Sequence, residues 1–67
     1  MDINNTFTYH PPIGTQATRY ILIREAAKTF AQTIVDCSPQ SAEQTLALRD
    51  VQRATMMANA AIACNEA

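Results

Sequence analysis

Residues 37–44 read CSPQSAEQ, and this short stretch decides the fold because it ends one helix and begins another. Pro39 disfavours helical geometry at Ser38, the residue before it. Ser41, followed three residues later by Gln44, has the pattern of a capping box, which satisfies backbone N–H groups at the start of a helix. Since a short connection joins neighbouring helices in opposite directions, the stretch predicts an antiparallel helical hairpin.

The segment before the turn, residues 15–37, has the periodicity of an amphipathic helix. Its apolar side chains recur at three- and four-residue spacing and form one stripe: Tyr20, Ile23, Ala27, Phe30, Ala31 and Ile34. Thr15 or Thr18 is expected to cap this helix. Arg24 and Lys28 lie one turn apart at the border of the stripe.

The segment after the turn, residues 42–64, predicts a second helix with two apolar faces. The main stripe consists of Ala47, Leu48, Val51, Ala54, Ala58, Ala61 and Ile62. A second, smaller face consists of Leu46, Met57, Ala60 and Cys64. A hairpin buries one face of each helix, so the second face predicts another protein surface against it. Asn59, at the edge of the main stripe, either fixes register or oligomer state or is a half-exposed surface amide.

The N-terminal segment, residues 1–14, predicts an extended arm. Pro11 and Pro12 disfavour helix, and Gly14 favours a turn. Residues 7–10 read FTYH and prefer extended structure. The sequence therefore predicts one all-α domain over residues 1–67, an antiparallel two-helix hairpin behind an extended arm.

The size of the chain predicts self-association. A single core in a chain of 67 residues supplies only about 3–5 kcal/mol, and such chains are usually supplemented by disulfides, a metal or association. Cys37 and Cys64 fall near opposite ends of the hairpin and are expected to be buried, reduced hydrophobic residues. With His10 they share no zinc-like spacing, so no metal is expected. Since 48% of the residues are hydrophobic, a homo-oligomer is expected.

Several function classes are disfavoured by the sequence. No segment has the roughly 20 consecutive apolar residues of a membrane span, and residues 1–10 do not have the pattern of a signal peptide, so a cytoplasmic protein is expected. The net charge of −1 argues against general nucleic-acid binding. No nucleophile–base set, paired-carboxylate pattern or phosphate loop is present, so the protein is expected not to be an enzyme and to need no cofactor.

The basic residues predict an anion site. Arg24 and Lys28 are expected to lie at the height of Arg49 and Arg53 on the second helix, and guanidinium groups bind phosphate in bidentate fashion. Acidic residues lie between them, so a solvated, salt-bridged face is the alternative. The arm contributes Phe7 and Tyr9, either of which stacks on a nucleobase or else packs on a neighbouring subunit. His10 is most simply a surface or arm-anchoring residue, and it is included with Phe7, Tyr9, Arg24 and Lys28 among the five predicted ligand-binding residues.

Two other functions fit the order of elements. A ribbon-helix-helix regulator has a strand followed by two helices, but its helices are shorter, and the arm here has no basic residue. A structural or protein-binding hairpin needs neither the aromatic arm nor the basic residues.

The chain resembles the phage helical-hairpin cyclic-nucleotide sponges that inhibit bacterial CBASS defence, whose hairpin recurs in sponges that inhibit Thoeris defence. The resemblance rests on the arm (residues 7–12), on residues 19–28 of the first helix, on the turn and on residues 57–63. It implies a non-catalytic homo-oligomer, typically a hexamer, with ligand sites at subunit interfaces.

The resemblance also implies the ligand and its contacts. Cyclic dinucleotides such as cyclic GMP-AMP are the expected ligands, with cyclic trinucleotides as further candidates. Tyr9 would stack on a base and Arg24 would contact phosphate, with Lys28 added by proximity. The chain has Ala42, Met57 and Cys64 where related chains often have arginine, tryptophan and arginine. The last of these departures, Cys64 in place of arginine, affects a second site, for cyclic trinucleotides, that some members of the family have.

Overall fold

The computed structural model describes residues 14–66, which form two helices joined by a short turn. Helix α1 is Gln16–Cys37 and helix α2 is Ala42–Asn65. The predicted arm, residues 1–14, lies outside the described residues except for Gly14. This glycine has φ +55°, a left-handed conformation that costs a residue without Cβ nothing sterically. Neither described helix is apolar over enough of its length to cross a membrane.

The two helices pack antiparallel, as predicted. Gln16, at the start of α1, donates a hydrogen bond to Glu66, which follows α2. At the other end, Gln44 in the first turn of α2 donates to the backbone carbonyl of Ser38, which follows α1. These two links join the start of each helix to the end of the other, and they fix the register of the hairpin.

The turn is built from short polar side chains. Ser41 caps α2, since its hydroxyl accepts a hydrogen bond of 3.1 Å from the backbone N–H of Gln44. The reciprocal half of the predicted capping box does not form within the described turn, because the Gln44 side chain donates to Ser38 instead, at 2.9 Å. Ser38 in turn donates from its hydroxyl and its backbone N–H to the carbonyl of Ile34. The end of α1 and the start of α2 are therefore satisfied by one shared network.

The start of α1 differs from the prediction. Thr15 occupies the capping position, but its side chain makes no capping hydrogen bond. Its hydroxyl accepts a hydrogen bond of 3.1 Å from Nε of Arg19. Thr18 lies inside the first turn of the helix and is exposed. The prediction of a threonine side-chain cap is therefore wrong, because the backbone of Thr15 (φ −89°, ψ 7°) is not in the extended conformation that a side-chain cap typically has.

The packed seam between the helices is narrow. Within residues 14–66, Ile62 is the only buried hydrophobic side chain, at 8% exposure. The other seam positions are half-buried: Tyr20, Ile23, Ala27, Ala31, Ile34, Ala47, Leu48, Val51 and Ala58. Phe30 (57% exposed), Ala54 and Ala61 were also predicted in the packed stripes but are exposed. Two helices cover only the line along which they touch, so residues at its margin stay open.

The second apolar face of α2 is largely exposed. Leu46 and Met57 are exposed, and Ala60 and Cys64 are half-buried. Cys37 was predicted to be buried, but it is exposed in the last turn of α1, where the following turn leaves it at the rim of the hairpin. The described fold therefore has apolar surface on more sides than a hairpin can cover.

Candidate ligand-binding surface

The structure describes two of the five predicted ligand-binding residues. Arg24 and Lys28 lie in the middle of α1, and both are exposed. Phe7, Tyr9 and His10 lie outside the described residues. The structure therefore gives the geometry of only the two basic residues of the candidate site, both of which lie on the hairpin.

Both cations are available to an anion. Among residues 14–66, neither Arg24 nor Lys28 forms an ion pair with a carboxylate, and the same holds for Arg49 and Arg53. The salt-bridged surface that was the alternative interpretation is not observed in this part of the chain. Arg19 is the one described basic residue that pairs with an acid. An incoming phosphate would therefore not have to displace an internal carboxylate from Arg24.

Helical spacing brings Arg24 and its neighbours to one side of α1. Lys28 lies one turn after Arg24 and Tyr20 one turn before it, and residues four apart are neighbours on a helix surface. Tyr20 is half-buried, so its ring packs partly on the seam. From the sequence, Tyr20 was predicted only as a member of the apolar stripe. The missed signal is its four-residue spacing from Arg24, which makes this ring a candidate wall of the same site.

The side of the hairpin that carries Arg24 adjoins an apolar groove. Ala26 of α1 and Asp50 of α2 line that groove. Arg24 is two residues from Ala26, or about 160° around the helix. Asn59 is nine residues from Asp50, which is about half a revolution. Helix phase therefore places Arg24 and Asn59 across the seam from Ala26 and Asp50, at the margin of the groove and not opposite to it, since Ala27 and Thr55, which also line it, lie closer to them around each helix.

Arg24 and Asn59 also lie at similar heights. The hydrogen bond between Gln16 and Glu66 sets the register of the two helices. Arg24 follows Gln16 by as many residues as Ala58 precedes Glu66, and Ala58 is next to Asn59. Asn59 is half-buried, and its Oδ1 atom is buried without a hydrogen-bond partner among the described residues. A buried acceptor of this kind carries a free-energy cost that an external donor would remove. From the sequence, Asn59 was interpreted either as a residue that fixes register or oligomer state or as a half-exposed surface amide. Its half-burial fits both interpretations.

The cations of α1 and α2 differ in their distance from the seam. Arg49 and Arg53 each lie two residues from Val51, a seam residue, and so face about 160° away from α1. The cations of α1 lie nearer to the seam. The prediction that the four basic residues lie at similar heights stays a prediction, and helix phase places the cations of α2 farther from the seam than Arg24 of α1.

The open end of the hairpin is closed by a polar cluster of Gln16, Arg19 and Glu66. Arg19 donates two hydrogen bonds to the carboxylate of Glu66, one of them 2.8 Å long, and Gln16 donates a third. The bonds from Arg19 hold the pKa of Glu66 below its usual value, and partial desolvation opposes them. The same contact raises the pKa of Arg19. This cluster holds Arg19 at the open end, so Arg24 is the first cation of α1 that has no carboxylate partner among the described residues.

The described residues contain no group of three or more histidine, cysteine, aspartate or glutamate side chains close enough to hold a metal ion. The candidate surface within the described residues consists of the guanidinium of Arg24, the ammonium of Lys28, the ring of Tyr20 and the amide of Asn59.

The comparison with protein families gives one match, which spans almost the whole chain. The family model described as "Acb2/Tad1, hairpin domain" matches residues 1–63. No curated protein and no solved structure matches the chain. The matched residues include the arm, α1, the turn and nearly all of α2, but not Glu66 of the open-end cluster.

Proposed function

The chain belongs to the Acb2/Tad1 hairpin-domain family, and from this premise we propose that it is a phage anti-defence sponge. It binds cyclic oligonucleotide immune signals, holds them, and so keeps them from the effectors of CBASS-type defence. The binding involves no catalysis and takes place in the cytoplasm of the host bacterium. The observation that supports this proposal best is that, within residues 14–66, the exposed Arg24 and Lys28 form no ion pair with a carboxylate, on a hairpin of this family.

The cationic half of the site fits a phosphodiester. A guanidinium group presents a planar fork of N–H donors that matches two phosphate oxygens. Arg24 is exposed and pairs with no carboxylate of residues 14–66. Lys28, one turn further, adds a second positive charge for the same phosphate or its neighbour. Phosphate charge alone does not distinguish ligands, so we assign the nucleobase to the arm, where Tyr9 stacks and Phe7 and His10 flank it.

The ligand's symmetry favours a site between two copies of the chain. A cyclic dinucleotide carries two phosphates and two bases with approximate two-fold symmetry. A two-fold interface presents every residue twice, so one Tyr9 and one Arg24 per chain supply two stacking rings and two phosphate contacts. We propose that such interfaces assemble into a homo-oligomer, and a hexamer in keeping with the family resemblance.

The departures from related chains bear on the range of ligands. Cys64 replaces an arginine implicated by the resemblance in a second, trinucleotide site, and a half-buried thiol cannot replace the charge of arginine. Met57, where related chains have tryptophan, offers an exposed thioether instead of a large ring. We propose that cyclic dinucleotides such as cyclic GMP-AMP are the principal ligands and that cyclic trinucleotides bind more weakly.

The direct test is calorimetric titration with cyclic dinucleotides and cyclic trinucleotides, with duplex DNA as the negative control. Arg24→Ala is expected to weaken cyclic GMP-AMP binding by about 10- to 100-fold, since a hydrogen bond to a charged group contributes about 1.5–3 kcal/mol. Tyr9→Ala is expected to act in the same range through lost stacking. Arg53→Ala removes an equally unpaired charge from the outer face of α2 and should leave the affinity unchanged.

Three outcomes would contradict the proposal. The first is no heat of binding with any cyclic nucleotide, which leaves a structural or protein-binding hairpin. The second is equal loss in Arg24→Ala and Arg53→Ala, which would mean that net charge and not a site governs binding. The third is binding of duplex DNA with higher affinity than any cyclic nucleotide.

A further inference from the structure

The open end of the hairpin carries the junction between the N-terminal arm and α1, which consists of Gly14 and Thr15. Gly14 has φ +55°, a left-handed conformation that turns the backbone directly before the helix. Tyr9 precedes Thr15 by only six residues, which span at most about 20 Å. The conformation of the junction therefore limits where the arm can bring Tyr9.

One carboxylate, that of Glu66, holds the start of α1 from the other end of the chain. Glu66 directly follows α2 and accepts two hydrogen bonds from Arg19. It accepts a third, 3.4 Å long, from Gln16, the first residue of α1. Within residues 14–66, Gln16 is the only buried polar residue, at 4% exposure. The carboxylate therefore binds the first turn of α1 at two points, one of which is enclosed.

The guanidinium group of Arg19 connects Glu66 to the junction. Its Nη1 and Nη2 atoms donate to Glu66, while its Nε atom donates to the hydroxyl of Thr15 at 3.1 Å. The backbone N–H of Arg19 also donates to the carbonyl of Thr15, at 3.0 Å. Because a guanidinium group is planar and rigid, the two bonds to Glu66 also set the direction of the Nε–H donor. Thr15, whose side chain does not cap the helix, is held by Arg19 instead.

The contact between Arg19 and Glu66 is separate from the cations of the candidate surface. Arg24 follows Arg19 by five residues, which corresponds to about 7.5 Å along the helix axis and about 140° around it. A carboxylate beside a phosphate would repel it, so Glu66 is unsuited to contact the ligand. Glu66 also lies beyond residues 1–63, which the family model matches.

We propose that Glu66 is a positioning residue for ligand binding: through Arg19 it holds Thr15, and so keeps the junction in the conformation from which the arm brings Tyr9 to the nucleobase. This inference rests on the proposed function, which assigns the base to Tyr9. It adds a residue at the far end of the chain that makes no contact with the ligand and yet sets the affinity.

The first test is calorimetric titration of Glu66→Gln with cyclic GMP-AMP. The affinity is expected to fall about two- to five-fold, the factor that corresponds to the loss of one exposed ion pair. Glu43→Gln is the matched control, because it makes the same chemical change and the same change in net charge at the turn end of the hairpin. It should keep the affinity of the unaltered chain. An unchanged affinity in Glu66→Gln, or an equal loss in Glu43→Gln, would overturn the proposal.

A double-mutant cycle shows whether Glu66 acts through the arm. In a Tyr9→Ala chain, Glu66→Gln is expected to cause no further loss of affinity, because the ring that Glu66 positions is already absent. In an Arg24→Ala chain it is expected to cause its full loss, since Arg24 is held by α1 itself. Equal losses in both chains would mean that Glu66 only stabilises the hairpin, and they would contradict the positioning role.

Reversing the charges tests the ion pair itself. Arg19→Glu and Glu66→Arg each place like charges together, and each is expected to weaken cyclic GMP-AMP binding more than Glu66→Gln does. The double variant restores opposite charges, and the hydroxyl of Thr15 can donate to a carboxylate at position 19 as well as accept. It is expected to bind more tightly than either single variant. A double variant no better than the weaker single variant would overturn the role of the pair.

A measurement without ligand separates this inference from the proposed function. The backbone N–H of Arg19 reports on its bond to the carbonyl of Thr15, and its hydrogen exchange is measured by NMR. Exchange is expected to be faster in Glu66→Gln than in the unaltered chain or Glu43→Gln. Unchanged exchange would overturn the link between Glu66 and the junction, whatever the ligand. Faster exchange in a chain that binds no cyclic nucleotide would overturn the proposed function and leave that link in place.

Discussion

The two ends of the hairpin are held together in different ways. At the turn, Ser38, Ser41 and Gln44 satisfy each other within seven residues of sequence. At the open end, Arg19 reaches Glu66 across 47 residues, and Ile62 supplies the one buried hydrophobic side chain of the described chain. Contacts between residues far apart in sequence cost more chain entropy to form. The turn is therefore specified locally, whereas the open end depends on the packing of the helices.

The largest effect should come from removing the buried side chain near the open end. Ile62→Ala is expected to lower the free energy of unfolding by about 2–4 kcal/mol, because it deletes buried methylene groups and leaves a cavity. Ile21→Ala makes the same change at an exposed position and should cost well under half as much. Both are measured by chemical denaturation at one fixed protein concentration, since association contributes to stability. Equal losses would mean that the open end has no special dependence on packing.

Substitutions in the turn should lower the free energy of unfolding by less, and their effect should be confined to the region of the turn. Ser41→Ala removes the oxygen that caps α2 and is expected to cost about 1 kcal/mol. Ser41→Asp keeps an oxygen at the same place and should retain most of the stability. The same denaturation experiment, followed by helix content, measures both. If the aspartate variant lost as much as the alanine variant, the cap would not be the reason for the serine.

The smallest effect should come from the ion pair at the open end, because both partners are exposed. The pKa of Glu66 is lowered, so its stabilising contribution is present above the usual pKa of a glutamate and is lost as the pH falls through the lower, folded-state value. Glu66→Gln is therefore expected to melt slightly below the unaltered chain at pH 7. At about pH 3 the two melting temperatures should have moved closer together.

The other carboxylates are the same in both chains, so the comparison between the two chains isolates Glu66. A gap in melting temperature that stayed constant from pH 7 to pH 2 would show that the charge of Glu66 is not what closes the open end. Arg19 keeps its charge throughout this range, since its pKa is raised further above it.

The contrast between the ends explains which parts of the fold could be read from the sequence. Pro39 and the serine–glutamine spacing act on their own neighbours, so the turn and the antiparallel order were predictable. The exposure of Phe30 was not, because the pattern that marks an apolar stripe says nothing about how wide a contact the partner helix covers. The open-end cluster was also missed, because its members lie at opposite ends of the chain.

The candidate site likewise has features that the sequence predicted and features that it did not. Arg24 and Lys28 could be chosen from their spacing and from the family resemblance. Their separation from Arg49 and Arg53 depends on the phase of each helix relative to the seam, which the sequence pattern did not define closely enough. The Oδ1 of Asn59, which has no hydrogen-bond partner among residues 14–66, likewise follows from three-dimensional packing, because burial of one atom is not encoded in residue type.

The sequence by itself determined an all-α hairpin, the position of its turn and the presence of more apolar surface than two helices can cover, since each of these follows from local chemistry and periodicity. Only the tertiary structure decided which apolar residues remain exposed and which cations have no carboxylate partner within the described part of the chain. Those features depend on the register and rotation of one helix against the other, and these are set by the sum of many contacts between residues far apart in the chain.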